Sequence, residues 1–315
     1  MGRRVIEVEG LTKYYDERLA IADVTFSVPP GQVLGFLGPN GAGKSTTMRI
    51  LAGYLSASGG KASIAGHDVF ENPVEARRRI GYLPESTPLY NEMRVKDYLG
   101  LMCKLRGVHP RRRGECIDFA IEACGLQARR RDIVGRLSKG LRQRVGLAQA
   151  VVHDPDVLIL DEPTGGLDPG QTRETRALIT ELGRRHTVIL SSHILTEVSA
   201  TCERVVIINQ GRLVADDAPA NLGKRLSQDR ASQVELTVVG DRDRILAVVE
   251  KVRGVESVTV NPTEDGAWEV LVTGRRKDLQ DALAKAVVRG GHGLRQLQSR
   301  KLSLEDIFLE LTDGD

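Results

Sequence analysis

The chain has 315 residues, 41% hydrophobic and 28% charged, and its 45 basic and 42 acidic side chains leave a net charge of +3. This composition suits a globular protein with one large domain and a small one, and so even a charge balance does not demand a nucleic-acid partner. Only 4% of residues are aromatic, so the core has to be built from aliphatic side chains.

Basic residues bunch at Arg77-Arg78-Arg79, Arg111-Arg112-Arg113 and Arg129-Arg130-Arg131. No aromatic residues interleave them to stack bases. They read as solvated helix ends and loops rather than as an anion-binding surface. The four cysteines, Cys103, Cys116, Cys124 and Cys202, form no C-x-x-C pair and no metal-ligand spacing, so reduced thiols are expected. The N-terminus lacks the apolar core of a signal peptide. No stretch approaches the ~20 apolar residues that span a bilayer, so membrane association is expected only through a partner.

Taken in chain order, Val5, Val8 and Leu11 and then Ala22 to Val28 alternate as strands do. Pro29-Pro30-Gly31 turns the chain into Gln32-Val33-Leu34-Gly35-Phe36-Leu37, which reads as a buried strand. A glycine-rich loop leads into the helical Thr46 to Leu51. Residues 95–152 read as mostly helical, with Val95, Tyr98, Leu99 and Met102 at helical spacing. Val157 to Leu160 and Thr187 to Leu190 are two further buried strands around a helix over 172–185, a βαβ unit with parallel strands. Val205 to Ile208 continues the sheet. Residues 223–233 are polar and read as a linker. Beyond them Val234 to Val239, 244–252, 255–260, 268–272, 277–288 and 293–299 read as strand, helix, strand, strand, helix, strand. That βαββαβ order suggests a small ferredoxin-like domain, followed by a terminal helix over 303–311. The expected domains are therefore 1–222 and 234–315, with a linker over 223–233.

Three motifs carry chemistry. Gly38-Pro39-Asn40-Gly41-Ala42-Gly43-Lys44-Ser45-Thr46 fits the P-loop pattern in its required setting, strand before and helix after. Glycine backbone N–H groups and the helix start cradle phosphates there. Lys44 is placed to reach the β- and γ-phosphates of ATP, and Ser45 to ligate Mg²⁺. Second, the apolar run Val157 to Leu160 delivers Asp161 and Glu162 at a strand's C-terminal end, where open α/β sheets bind ligands. Asp161 suits Mg²⁺ through water, and Glu162 suits polarising an attacking water. Third, Leu137-Ser138-Lys139-Gly140-Leu141-Arg142-Gln143-Arg144 precedes a helix that Ser138 can cap.

These motifs in this order resemble the ATP-binding subunits of ABC transporters over roughly residues 5–221. The family's LSGGQ signature here reads LSKGLRQR, with Lys139 in place of a glycine and Leu141 in place of a glutamine. The resemblance implies a P-loop ATPase of ABC type: a mixed α/β sheet core, an antiparallel β-subdomain and a helical subdomain. It implies that Ser138 and Gly140 face the γ-phosphate of ATP on a partner subunit. It places an aromatic residue, Tyr15 or its neighbour Tyr14, on adenine. Glu85 in Gly81-Tyr82-Leu83-Pro84-Glu85 takes the place of the family's glutamine as a ligand of Mg²⁺ or water. Gly165 to Pro169 matches the D-loop, and His193 the histidine that contacts the γ-phosphate.

The wording of these motifs looks most like the branch of multidrug, gliding-motility and polysaccharide exporters. The implied protein is a cytoplasmic, peripheral, Mg²⁺-dependent ATPase. It acts as a homodimer, or as a heterodimer with a paralogue, beneath integral membrane permease subunits. An ABC-type ATPase working on nucleic acid or ribosomes is the alternative. The long coiled-coil or zinc insertions common in such proteins are not seen in the sequence.

Overall fold

The computed structural model describes residues 5–222, 232–263, 265–276 and 278–300. These form two compact units that divide between Pro219 and Ala220.

In the first unit, β1 (Ile6–Tyr15) pairs antiparallel with β2 (Arg18–Val28) and with β4 (Gly59–Ile64). The short β5 (His67–Asp68) completes a four-stranded sheet in the order β2-β1-β4-β5. Alternation puts Ile6, Val8 and Leu11 inside and Glu7 and Glu9 outside. A second sheet has six strands, ordered β10-β9-β3-β8-β7-β6. Its members are β3 (Val33–Leu37), β6 (Ile80–Leu83), β7 (Val157–Asp161), β8 (Thr187–Ser192), β9 (Arg204–Asn209) and β10 (Arg212–Asp217). All neighbours are parallel except the edge pair β9-β10. Every residue of β3, β6, β7 and β8 is buried, which is why β3, β7 and the first part of β8 read as apolar runs rather than alternating ones. Helix α1 (Lys44–Leu51) inserts Met48, Ile50 and Leu51 into the core shared by the two sheets, beside Phe26 and Phe36.

Between β4 and β7 lie α2 (Pro73–Arg78) and a helical region of α3 (Val95–Leu105), α4 (Arg113–Ala123) and α5 (Lys139–Val151). Val95, Tyr98, Leu99 and Cys103 form the buried stripe of α3, at the i, i+3, i+4 and i+8 spacing of one helix face. Ser138 caps α5, its hydroxyl accepting from the Leu141 N–H at 3.4 Å. Asp168 does the same for α6 (Pro169–Gly183), accepting from the Gln171 N–H at 2.9 Å. A short α7 (Leu195–Ser199) follows β8.

The arginine runs sit at such ends and loops. Arg79 pairs with Asp156, Arg129 with Asp132 and Arg130 with Asp118. All four cysteines are buried and free. Burial pushes the Cys124 and Cys202 thiols up to about 12.

The second unit is β11 (Ser232–Val239), α8 (Arg242–Glu250), β12 (Val255–Pro262), β13 (Trp268–Gly274), α9 (Leu279–Arg289) and β14 (Gly293–Arg300). Its strands order as β12-β13-β11-β14, every neighbour antiparallel. That is the split βαβ arrangement of ferredoxin-like folds. Val234, Leu236 and Val238 on one face of β11 pack with Ile245, Val249, Leu283 and Val287 of the helices. Trp268 packs against this core and donates its indole N–H to Gly240 O at 3.1 Å. The first strand begins at Ser232, so residues 232 and 233 of the stretch read as linker are strand. Their backbones pair with Gly274 and Thr273, while the side chains at that end are polar and hide the ladder from sequence. The rest of that stretch, 223–231, and the helix expected over 303–311 lie outside the described residues.

Candidate nucleotide site

The order β3-β8-β7 sets three loops side by side at the carboxyl edge of the parallel sheet. From β3 the chain runs through Gly38 to Gly43 into α1. A Cβ on Gly38 would lie 2.3 Å from Ile208 O. One on Gly43, at φ +108°, would lie 2.6 Å from Ile21 Cγ2. Only glycine lets the loop pack that close to β9 on one side and β2 on the other. From β7 come Asp161 and Glu162, and from β8 come Ser191, Ser192 and His193. Asp161 and Ser191 are register partners, as are Leu37 and Ser192.

The side chains there form one connected network. Ser45 Oγ donates to Asp161 Oδ1 at 3.1 Å, and Ser191 Oγ donates to the same oxygen at 2.6 Å. Ser191 Oγ in turn accepts the Glu162 N–H at 2.9 Å. That bond holds Glu162 at φ +48°, a left-handed conformation rare for a non-glycine residue and typical of functional sites. The Lys44 ammonium, 5% exposed, donates to Gly38 O at 2.8 Å and Pro39 O at 3.2 Å, and lies 3.5 Å from Glu162 Oε1. The other Glu162 oxygen, Oε2, is 3.1 Å from His193 Nδ1. A carboxylate only accepts, so Nδ1 carries the hydrogen. Glu162 therefore bridges the P-loop lysine and the histidine.

Asp161 is fully buried, and its Oδ2 has no hydrogen-bond partner. An unpaired buried carboxylate oxygen is costly, and it fits a cation or a cation's water shell. Among the described residues no three His, Cys, Asp or Glu side chains form a metal cage. That sparse donor set suits Mg²⁺, which keeps its waters and takes one or two protein ligands plus phosphate oxygens. Beneath the site, burial first and the charge of Asp161 second push the Tyr82 phenol up to about 12.

A cavity of about 1130 Å³ opens over this network. Tyr15, Asn40, Gly41, Gly43, Lys44, Ser45, Thr46, Glu85, Glu162 and His193 all line it. Tyr15 rather than Tyr14 reaches the cavity, and Glu85 stands exposed on its rim. Ser138 and Gly140 are not brought to it. Ser138 lines a separate cavity with Arg94, Arg129, Arg131 and Arg136, and Gly140 is buried against Gln171. Sequence reasoning missed Ser191, the hydroxyl that joins Asp161 to Glu162. Its signal was the polar end of an apolar run two residues before His193. It also missed Lys139 and Gln143 of α5, which reach the same cavity.

Comparison with known proteins agrees with this geometry. A family model described as ABC transporter matches residues 21–165. The bacitracin transport ATP-binding protein BcrA of Bacillus licheniformis is 33% identical over 312 residues, 98% of each chain. The Nod factor export ATP-binding protein I of a Rhizobium species is 32% identical over 317 residues, 99% of this chain and 98% of that one. Neither relative supports the reading of an ATPase acting on nucleic acid or ribosomes. A solved structure of an ATP-binding subunit of an ABC transporter superposes with a TM-score of 0.64 at 29% identity, covering 71% of this chain and 93% of that chain. A phosphate cradle, a paired carboxylate and histidine at one sheet edge, and full-length likeness to transport subunits lead to one assignment: the chain belongs to the ABC transporter family, as an ATP-binding and ATP-hydrolysing subunit.

Proposed function

We propose that this subunit powers an exporter by closing on ATP with a second copy of itself, or with a paralogue, beneath separate membrane permeases. The observation that carries the reading is the contact chain Lys44–Glu162–His193 beside the unpaired Asp161 oxygen. It gathers a phosphate-binding cation and a base in one cavity, with a cation site joined to it through Ser45.

In this reading the P-loop amides of residues 38–46 wrap the phosphates, and Tyr15 stacks on adenine at the cavity mouth. Lys44 exchanges its loop carbonyls for phosphate oxygens. Glu162 then keeps a free oxygen to accept a proton from the attacking water, while His193, tethered to that carboxylate, turns toward the γ-phosphate. Ser45 and Asp161 would hold Mg²⁺, with Glu85 contributing from the rim, and the ion would neutralise charge on the phosphates. Ser138 and Gly140 lie off the chain's own cavity, which supports a role on the partner's nucleotide. Two chains then sandwich two ATP molecules about a two-fold axis. Loss of the γ-phosphate removes the shared ligand, and the pair opens.

Export is carried over from the relatives, whose names include bacitracin transport and Nod factor export. Among the described residues no helix is long and apolar enough to cross a membrane; the assignment to the cytoplasmic face rests on the likeness to transport ATP-binding subunits. An apolar and basic groove of about 500 Å³ lies between α2 and α3, with Tyr54 69% and Leu105 68% exposed. In this reading a cytoplasmic segment of the permease docks there, because the groove exposes apolar side chains and reaches Tyr82, whose phenol feels the charge of Asp161.

The test is Glu162→Gln. Turnover should fall by about 10²-fold or more while ATP affinity, measured by titration, stays within a factor of about two or three. Normal turnover in that variant would remove Glu162 from its role.

A further inference from the structure

The two residues after Glu162 are held by side chains that come from elsewhere in the fold. Pro163 O accepts the amide of Gln143, on α5, at 2.8 Å. Thr164 Oγ1 donates to Glu197 Oε2, on α7, at 2.5 Å, the length of a charge-assisted O–H···O⁻ bond. Pro163 and Thr164 are both buried. The chain turns there, with the Gly165 N–H on Glu162 O at 3.0 Å. Since Ser191 Oγ holds the Glu162 N–H, side chains from β8, α5 and α7 fix three consecutive residues.

Such a clamp has a physical cause. Glu162 sits at φ +48°, and the proline after it narrows its conformations further. A strained backbone persists only where its surroundings over-determine it. Ser191 fixes only the near end of the turn, so the far end needs its own hold. Glu197 can give one because it is itself anchored. It is half-buried, and its carbonyl accepts the Thr201 hydroxyl, which accepts from Arg176 Nε in turn. Helix α7 starts two residues after His193. The Thr164–Glu197 bond therefore ties the turn after Glu162 to the helix that follows the histidine.

We propose that Glu197 is a positioning residue for ATP hydrolysis: through the Thr164 hydroxyl it sets the turn that aims the Glu162 carboxylate between Lys44 and His193. The inference rests on Glu162 being the base proposed above. Neither Thr164 nor Glu197 lines the nucleotide cavity, so removing their bond leaves the phosphate cradle in place. The turn then relaxes, and the carboxylate leaves its station. The loss falls on kcat and spares nucleotide binding.

The experiment measures MgATP hydrolysis by the full chain, at steady state and in single turnover. Thr164→Val, which deletes the hydroxyl at nearly equal volume, should lower kcat about tenfold or more and leave KM within about threefold. Glu197→Ala should do the same. Thr164→Ser keeps the hydroxyl and should retain most of the rate. In the Glu162→Gln background, residual turnover should not fall further with Thr164→Val, because the clamp acts through the carboxylate already removed. If Thr164→Val or Glu197→Ala keeps the native kcat, the inference fails and Glu162 remains the base. An equal loss in both backgrounds makes the bond a general support of the fold and also overturns it. If either variant fails to fold, Glu197→Gln, which keeps the shape and loses the charge, carries the same comparison. Normal turnover in Glu162→Gln itself removes the base, and the inference with it.

Discussion

At the scale of residues, contacts converge on Glu162, whose two oxygens face Lys44 and His193 and whose N–H is held by Ser191. Lys44 makes charge-assisted bonds that its nucleotide partners would take over. Lys44→Ala should therefore weaken ATP binding by about 1.5–3 kcal/mol, roughly tenfold or more. Unchanged affinity in a calorimetric titration would contradict the P-loop role. Ser191→Ala should leave ATP affinity near normal and lower kcat, because it frees the strained Glu162 backbone without touching the phosphate cradle; a drop in affinity alone would show the opposite. The P-loop was legible because its residues are consecutive and the motif carries its own mechanism. Asp161 and Glu162 were legible as the polar end of a buried run. Ser191 was not, because its role depends on β8 lying between β3 and β7, and that neighbourhood is set by crossovers rather than by local sequence.

At the scale of elements, long apolar runs announced β3, β7 and β8, and helical spacing announced α3. The sequence reading passed over β4, β5, α2 and β6. In β4 only Ala62 and Ile64 are buried among Gly59, Gly60, Lys61 and Ser63, too weak an alternation to register, and β5 has two residues. The helix start at α5 gives a separate prediction. Ser138→Ala should cost about 0.5–1 kcal/mol of stability, measured by denaturant unfolding without nucleotide. No loss would show that the cap is not engaged.

The loop that follows α5 sets a pH dependence. His153 is half-buried, with Nε2 3.1 Å from Ile80 O and Nδ1 out of contact with solvent and unpaired. Burial first, and then the charge of Arg106, pull it down to about 4 from its ordinary 6.5. The unfolded chain therefore takes up this proton at higher pH than the folded one. Its contribution is constant above about pH 6.5, is lost as pH falls toward 4, and amounts to about 3 kcal/mol across that window. His186, also buried, is shifted the same way by burial. Urea unfolding at pH 7 and pH 5 should show the native chain losing more stability than His153→Gln; parallel losses would rule out His153 as a source.

At the scale of the whole molecule, each compact unit carries its own core. A chain ending after residue 222 should fold and bind ATP with near-native affinity. Aggregation or loss of binding would show that the two units depend on each other. The βαββαβ order of the second unit was readable because β11 and β13 alternate over one buried face and the helices repeat apolar residues at helical spacing. The partner proposed across the γ-phosphate cannot be read from one chain's geometry, because Ser138 and Gly140 sit away from the cavity that chain encloses.

Glu162→Gln retains the phosphate cradle and lacks the proposed base, so light scattering on this variant tests most directly whether ATP holds two copies together. With MgATP its mass should double, and with MgADP it should return to that of one chain. A variant that binds MgATP and keeps the single-chain mass, alone and beside its membrane partner, would contradict the account.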